Sequence, residues 1–149
     1  QSDQILTSIQ QYAFVNTGSQ RGPMRFIADW FQSVGLSGDT AIDEISGRLG
    51  VPNLLAFAMG LNPFADPSHL PSIRWDDSTD TISVIYFRDF AITGADLELM
   101  VSSDLLTYQS ARPVELRVLW DDGNGRKQIE ARFEMPDGPV FFRLEAIAY

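Results

Sequence analysis

The chain has 149 residues, with 20 acidic and 11 basic side chains, one histidine, no cysteine and a net charge of -9. That length suits one domain, or one with a small appendage, and is enough to bury roughly 70% of the unfolded surface. Composition already excludes disulfides, thiolate nucleophiles and cysteine-ligated metals, a nucleic-acid partner, which needs clustered Lys and Arg, and a membrane-spanning helix of roughly 20 apolar residues.

Hydrophobic residues make up 44% of the chain and charged residues 21%, an ordinary globular balance. The first residue is Gln1. Removal of a secretory signal peptide is the natural expectation, although a cut from a larger precursor would look the same.

Residues 1–21 read as a polar arm, rich in Gln and Ser, that carries Ile5, Leu6, Ile9, Tyr12, Phe14 and Val15. Positions 5, 9 and 12 suit a short helix, whereas 5, 7, 9, 13 and 15 suit a strand, so periodicity leaves both open. Gly18 to Pro23 is a break. Pro23 stands where a first helical residue belongs, and Phe26, Ile27, Trp30, Phe31 and Val34 mark one helical face that Gly35 ends. A loop from Ser37 to Gly50 follows, with Ile42 and Ile45 as its apolar residues. Pro52 opens a second helix through Leu54, Leu55, Phe57 and Met59, closed by Gly60. Asn62-Pro63, Asp66-Pro67 and Leu70-Pro71 then make an extended connector.

From there the pattern changes to period two. Strands are predicted over Ser72–Asp76, Thr81–Phe90, Leu97–Ser102, Val114–Trp120, Lys127–Met135 and Val140–Ile147. Asp77–Asp80, Asp121–Gly125 and Pro136–Pro139 read as turns. The organisation is thus an arm (1–21), a helical segment (22–71) and an antiparallel β region (72–149). The fold class is mainly β: a small antiparallel β-sandwich preceded by two short α-helices.

Several short motifs occur in a telling order. They are Arg25-Phe26-Ile27-Ala28-Asp29-Trp30-Phe31, Gly35-Leu36-Ser37-Gly38-Asp39, Gly50-Val51-Pro52-Asn53-Leu54-Leu55 and Ala58-Met59-Gly60-Leu61-Asn62-Pro63. In the β region Tyr86-Phe87-Arg88, Val101-Ser102-Ser103-Asp104-Leu105 and Phe142-Arg143-Leu144 continue the series. Over residues 22–149 the chain resembles a C-terminal module recurrent on secreted, autotransporter-like proteins of Verrucomicrobia-type bacteria. The resemblance implies export and a surface or extracellular role, and carries no catalytic activity. In that family the stretch before Pro-Asn-Leu-Leu looks like a calcium loop, with acidic residues at positions 1, 3 and 5, Gly at 6 and Glu at 12. Here Gly50 remains while those positions hold Ile45, Gly47, Leu49 and Ala56. No calcium is expected, and Ile45 and Leu49 suggest a loop held by apolar packing.

Catalytic chemistry finds little footing. His69 lies between Ser68 and Leu70 in the connector, with no spacing that supplies a nucleophile or a metal partner, and reads as an exposed loop residue. Asp121-Asp122-Gly123-Asn124-Gly125 fails as a calcium loop, because positions 1 and 12 would be Trp120 and Ala131, and reads as a hairpin turn in which Gly and Asn take positive φ. Asp76-Asp77 and Glu130/Glu134 could be imagined as glycosidase carboxylates, but a solvated strand face explains the latter pair. The expectation is therefore no catalytic residue, no metal, no cofactor and no enzyme.

Two functions from different classes remain. One is an extracellular structural subunit that assembles with copies of itself into a filament or ring, with Ile5, Leu6, Ile9, Tyr12 and Phe14 as the apolar side of an arm–neighbour contact. The other is a secreted module that binds polysaccharide or cell envelope by stacking sugars on Trp75, Tyr108 or Trp120. Trp75 and Trp120 adjoin turns, which admits partial exposure, yet core or sheet-end packing is the default; Trp30 is left out because its helical face marks it as core. A sorting domain left over after export is a third, weaker reading.

Overall fold

The computed structural model describes residues 24–149. Among them are two helices, α1 (Ile27–Ser33) and α2 (Asn53–Met59). Seven strands follow: β1 (Ser72–Asp76), β2 (Thr81–Asp89), β3 (Ala95–Ser102), β4 (Gln109–Ser110), β5 (Glu115–Asp121), β6 (Arg126–Glu134) and β7 (Phe141–Ala148). They form two antiparallel sheets, one in the order β1-β2-β6-β5 and one in the order β4-β3-β7. The expected mainly β sandwich with two short helices before it is what the chain adopts. The arm residues Ile5, Leu6, Ile9, Tyr12 and Phe14 lie outside the described residues.

Strand alternation sets the two inner faces. In the first sheet Val84 stands opposite Ala131, which stands opposite Leu116, and Tyr86, Ile129 and Val118 form the next row. In the second, Leu97, Leu99 and Val101 stand opposite Ala146, Leu144 and Phe142. All of these belong to one core, which also takes in Trp30 and Phe31 of α1 and Phe57 and Met59 of α2. The helical segment and the strands are therefore held by shared burial. Trp30 meets Phe57 edge-on, with ring centroids 5.3 Å apart, and is 4% exposed, the core position its helical spacing predicts.

Helix α2 begins after Pro52 and stops at Gly60, whose φ of 73° places it in the left-handed region that glycine enters without strain. Helix α1 begins later than expected. Met24 to Phe26 are extended instead, because the Arg25 backbone bonds to the loop after β2, its N–H to the Ala91 carbonyl and its carbonyl from the Thr93 N–H. Phe26 consequently lies off the buried face and is exposed.

The Ser37–Gly50 loop also departs from expectation. Ile42 and Ile45 are exposed, whereas Leu49 is buried. Polar stitching does the work assigned to Ile45: buried Asn53 donates from Nδ2 to Ser46 Oγ at 2.8 Å, and its N–H reaches the Glu44 carbonyl. Gly47 lies so close to the Pro63 carbonyl that a Cβ would have no room. The connector, expected to be extended, contains a short 3₁₀ turn at Pro67–His69 in which the Asp66 carboxylate caps the Ser68 N–H. The two-residue β4 carries no sequence signal, being too short for a period to develop.

Candidate functional site

Among the described residues, each sheet ends in strands that pair on one side alone. The most exposed of these edges is β1. It bonds to β2 in unbroken register, Ile73 opposite Val84 and Trp75 opposite Ile82. Val84 and Ile82 are core residues, so Ile73 and Trp75 project from the inner face of the sheet. There they overhang the rim of the sandwich: Ile73 is 47% exposed and Trp75 61%. Beneath them runs a cleft lined by Ile73, Val84, Leu99, Phe142 and Leu144, where β7 forms the facing edge of the second sheet. An edge strand with apolar side chains on its core-facing side and open ladder groups is a template for another strand.

The other edges are blunted. Strand β4 has two residues. Strand β5 breaks register between Val118 and Trp120, where Leu119 is extra against β6. Such a bulge bends and twists an edge, which hinders strand addition. Strand β7 carries Arg143 and Glu145 as an ion pair, and Arg143 also lies over the Tyr108 ring, 3.8 Å from its centroid.

The chain enters the domain at a fixed point. Arg25 donates to both oxygens of the Asp89 carboxylate, at 2.7 and 2.6 Å, and to the Asn124 carbonyl at 2.7 Å. Asp89 is 3% exposed and also accepts from the Ala91 N–H. The same carboxylate, acting chiefly through its hydrogen bond to the guanidinium, holds Arg25 above its ordinary pKa. Residue 24 therefore leaves the β2 end that lies beside the β5–β6 turn. Trp75 stands opposite Ile82, seven residues further back along β2, about 23 Å away at the usual strand rise.

The three aromatics considered for sugar stacking are not brought together. Trp75 and Trp120 sit on strands at opposite edges of one sheet. They also face opposite ways. The bulge at Leu119 places Trp120 opposite Gln128, on the outer face, where it meets Phe87 edge-on at 5.9 Å. Tyr108 is half-buried under Arg143, beside the other sheet. Of the core or sheet-end packing expected, core burial holds for neither tryptophan, whereas Trp120, 47% exposed, packs on Phe87 at the sheet edge. A residue missed in the sequence, Phe87, links Trp120 to His69, whose ring lies 5.8 Å from it. Only register could have revealed this row, because residues 69, 87 and 120 share no local spacing.

The outer face of the same sheet also holds an ion-pair ladder. Arg117 reaches Glu130 at 2.7 Å and Arg132 reaches Glu115 at 3.0 Å. Glu130 was expected to lie on a solvated face but is 3% exposed. Burial pushes its carboxyl up, and the bonds from Arg117 and Ser83 outweigh that, so its pKa is held below the ordinary value. A carboxylate tied in this way is committed to structure. Glu134, exposed at the strand end, has no part in the ladder. In the Asp121–Gly125 turn the positive φ values fall on Gly123 and Gly125, with Asn124 outside that region. The Asp121 and Asp122 carboxylates accept from the Gly123 and Asn124 N–H groups.

His69 is exposed, its ring near the Asp66 carbonyl. Among the described residues there is no group of three or more His, Asp or Glu side chains placed to hold a metal ion, and no helix is long and apolar enough to cross a membrane. Compared with known protein families, curated proteins and solved structures, the chain matches none of them.

Proposed function

We propose that this chain is a non-enzymatic, extracellular structural subunit that assembles with copies of itself, as a filament or ring, through its N-terminal arm. The observation that carries the reading is the side of the sandwich where, among the described residues, an edge strand has no partner beyond β2 and leaves two large apolar side chains exposed. A 24-residue segment with strand-compatible apolar residues precedes the clamp at Arg25. A donor segment at one place and an acceptor edge at another produce head-to-tail contacts, which propagate into rings or filaments. The non-enzymatic part is supported by the chemistry of the described side chains, because His69 faces a carbonyl and a phenyl ring, and the buried carboxylates Asp89 and Glu130 are each tied to arginines. Export to the bacterial surface rests on the family resemblance.

Electron microscopy of the full chain beside a variant lacking residues 1–20 tests this. Filaments or closed rings that vanish with the arm are expected. Monomer-sized particles in both samples would sink the reading. A second reading, polysaccharide binding, is favoured by the His69–Phe87–Trp120 row on the outer sheet face. It predicts a monomer that binds glycan and loses that binding in Trp120→Ala.

A further inference from the structure

We infer that the acceptor for the arm is the β1 edge, and that the segment seated on it is the arm of a second copy, added as an extra strand beside Ile73 and Trp75. This rests on the assembly reading above and specifies where on the neighbour the contact is made.

Three observations select this edge. The first is its chemistry. Natural edge strands are protected by charges pointing inward, bulges or cover. Strand β1 has Pro71 before it and Arg74 on its outer side, but its inner-facing positions hold Ile73 and Trp75. Two large apolar side chains on an unbulged edge gain by burial and have nothing over them among the described residues. An added strand would cover them and close the cleft floored by Leu99, Phe142 and Leu144.

The second is the chemistry of the arm. Residues 1–21 contain one Asp and one Arg and are neutral, so the -9 charge of the chain resides in the rest of it. Two acidic bodies repel when pressed face to face, whereas a neutral arm reaches an acidic neighbour without that cost. Paired as a strand, its positions Ile5, Thr7, Ile9, Ala13 and Val15 would share one face to meet Ile73 and Trp75, while main-chain bonds would supply the ladder.

The third is placement. The Arg25–Asp89 clamp sends the chain out at one end of β2, about 23 Å from the place where Trp75 lies beside that strand. Donor and acceptor therefore sit at opposite ends of the sheet, which suits a head-to-tail repeat in which each copy gives at one end and receives at the other.

The test uses the full chain. Trp75→Lys and Ile73→Glu change exposed residues and leave the core intact, and Leu119→Lys alters the bulged β5 edge as a control. Light scattering after size exclusion should find the parent and Leu119→Lys assembled, and both β1 variants shifted at least tenfold towards monomer. Because the chain has no cysteine, Gln11→Cys and Ser72→Cys copies can also be mixed and joined with a short bis-maleimide. A cross-link between residue 11 of one copy and residue 72 of another is expected. Parent and all variants equally assembled would overturn the β1 acceptor and leave the assembly reading standing. A monomeric parent would overturn both. Monomers of a double Gln11→Cys/Ser72→Cys variant that cross-link only internally would show the arm folded onto its own edge, and would overturn transfer to a second copy.

Discussion

Trp30 and Trp75 carry the same side chain into opposite situations. Trp30 lies between Phe31 and Phe57 on the helical side of the sandwich and is 4% exposed. Trp75 hangs from the inner face of an edge strand and is 61% exposed. On the helical side, α2 comes down over β2, β3 and β7, and α1 packs on α2 to close the core. Along β1, above the cleft at Leu99, Phe142 and Leu144, no element of the described residues does the same. Among the described residues, one side is closed by helices and the other leaves Ile73 and Trp75 uncovered. Stability should therefore be concentrated on the helical side and association on the open side.

The largest stability effect is expected on the closed side. Phe57→Ala removes a ring that is 1% exposed and packed against Trp30. Loss of the ring and the cavity left behind should cost about 3–5 kcal/mol, measured by denaturant unfolding. Equal stability to the parent would mean that the helices do not seal the core.

Next comes the clamp at the root of the arm. Arg25→Ala leaves the Asp89 carboxylate, 2% exposed as a side chain, without its bidentate partner. Breaking a buried pair in this way costs about 3 kcal/mol. The lower end of the usual range applies because Arg25 keeps 26% of its side-chain surface in water and Arg126 stays 3.9 Å from the carboxylate. The same variant should loosen the direction in which the arm leaves, so assemblies formed by it should be less regular in electron micrographs.

A smaller effect is tied to acid. Buried Lys127 bonds to the Asp121 carboxylate, and this bond is the chief cause that holds Asp121 below its ordinary pKa. The folded state therefore binds that proton less readily than the unfolded chain. Its contribution is complete above about pH 4, the ordinary carboxylate value, and fades as pH falls through the lowered folded value. Asp121→Asn should cost about 1.5 kcal/mol at neutral pH and flatten the decline of stability as pH falls below about 4. An unchanged acid profile would assign the decline to other carboxylates.

The smallest stability effect should come from the open side. Trp75→Lys alters an exposed position and should change unfolding free energy by no more than about 0.5 kcal/mol. Its effect on assembly should nevertheless be the largest of the set. A variant that destabilised the monomer strongly would mean that Trp75 is part of the core after all, and would erase the contrast with Trp30.

Much of this was legible from residue pattern. Period-two alternation located the six longer strands to within two residues at every end, and Pro52 and Gly60 bracketed α2 because their backbone constraints are local. The core role of Trp30 followed from helical spacing. Local pattern failed where a distant partner decided the outcome. The start of α1 moved to Ile27 because Arg25 was captured by Ala91, Thr93 and Asp89, some 64 to 68 residues away. Ile45, apolar and near a helix, was left in solvent because Asn53 and Gly47 hold that loop by polar bonds and close approach.

By itself, then, the sequence determined the class of structure: an acidic, cysteine-free chain whose alternating apolar residues demand antiparallel sheets and whose proline and glycine positions delimit two short helices. Only the tertiary structure decided which apolar residues lie at a rim. Trp75 and Tyr86 both point to the inner face of their sheet, and one is 61% exposed while the other is 3% exposed, because among the described residues β1 is the last strand of its sheet and β2 is flanked on both sides. Burial belongs to the arrangement of strands in space. Alternation names the face a side chain points to, and strand order decides whether anything waits there.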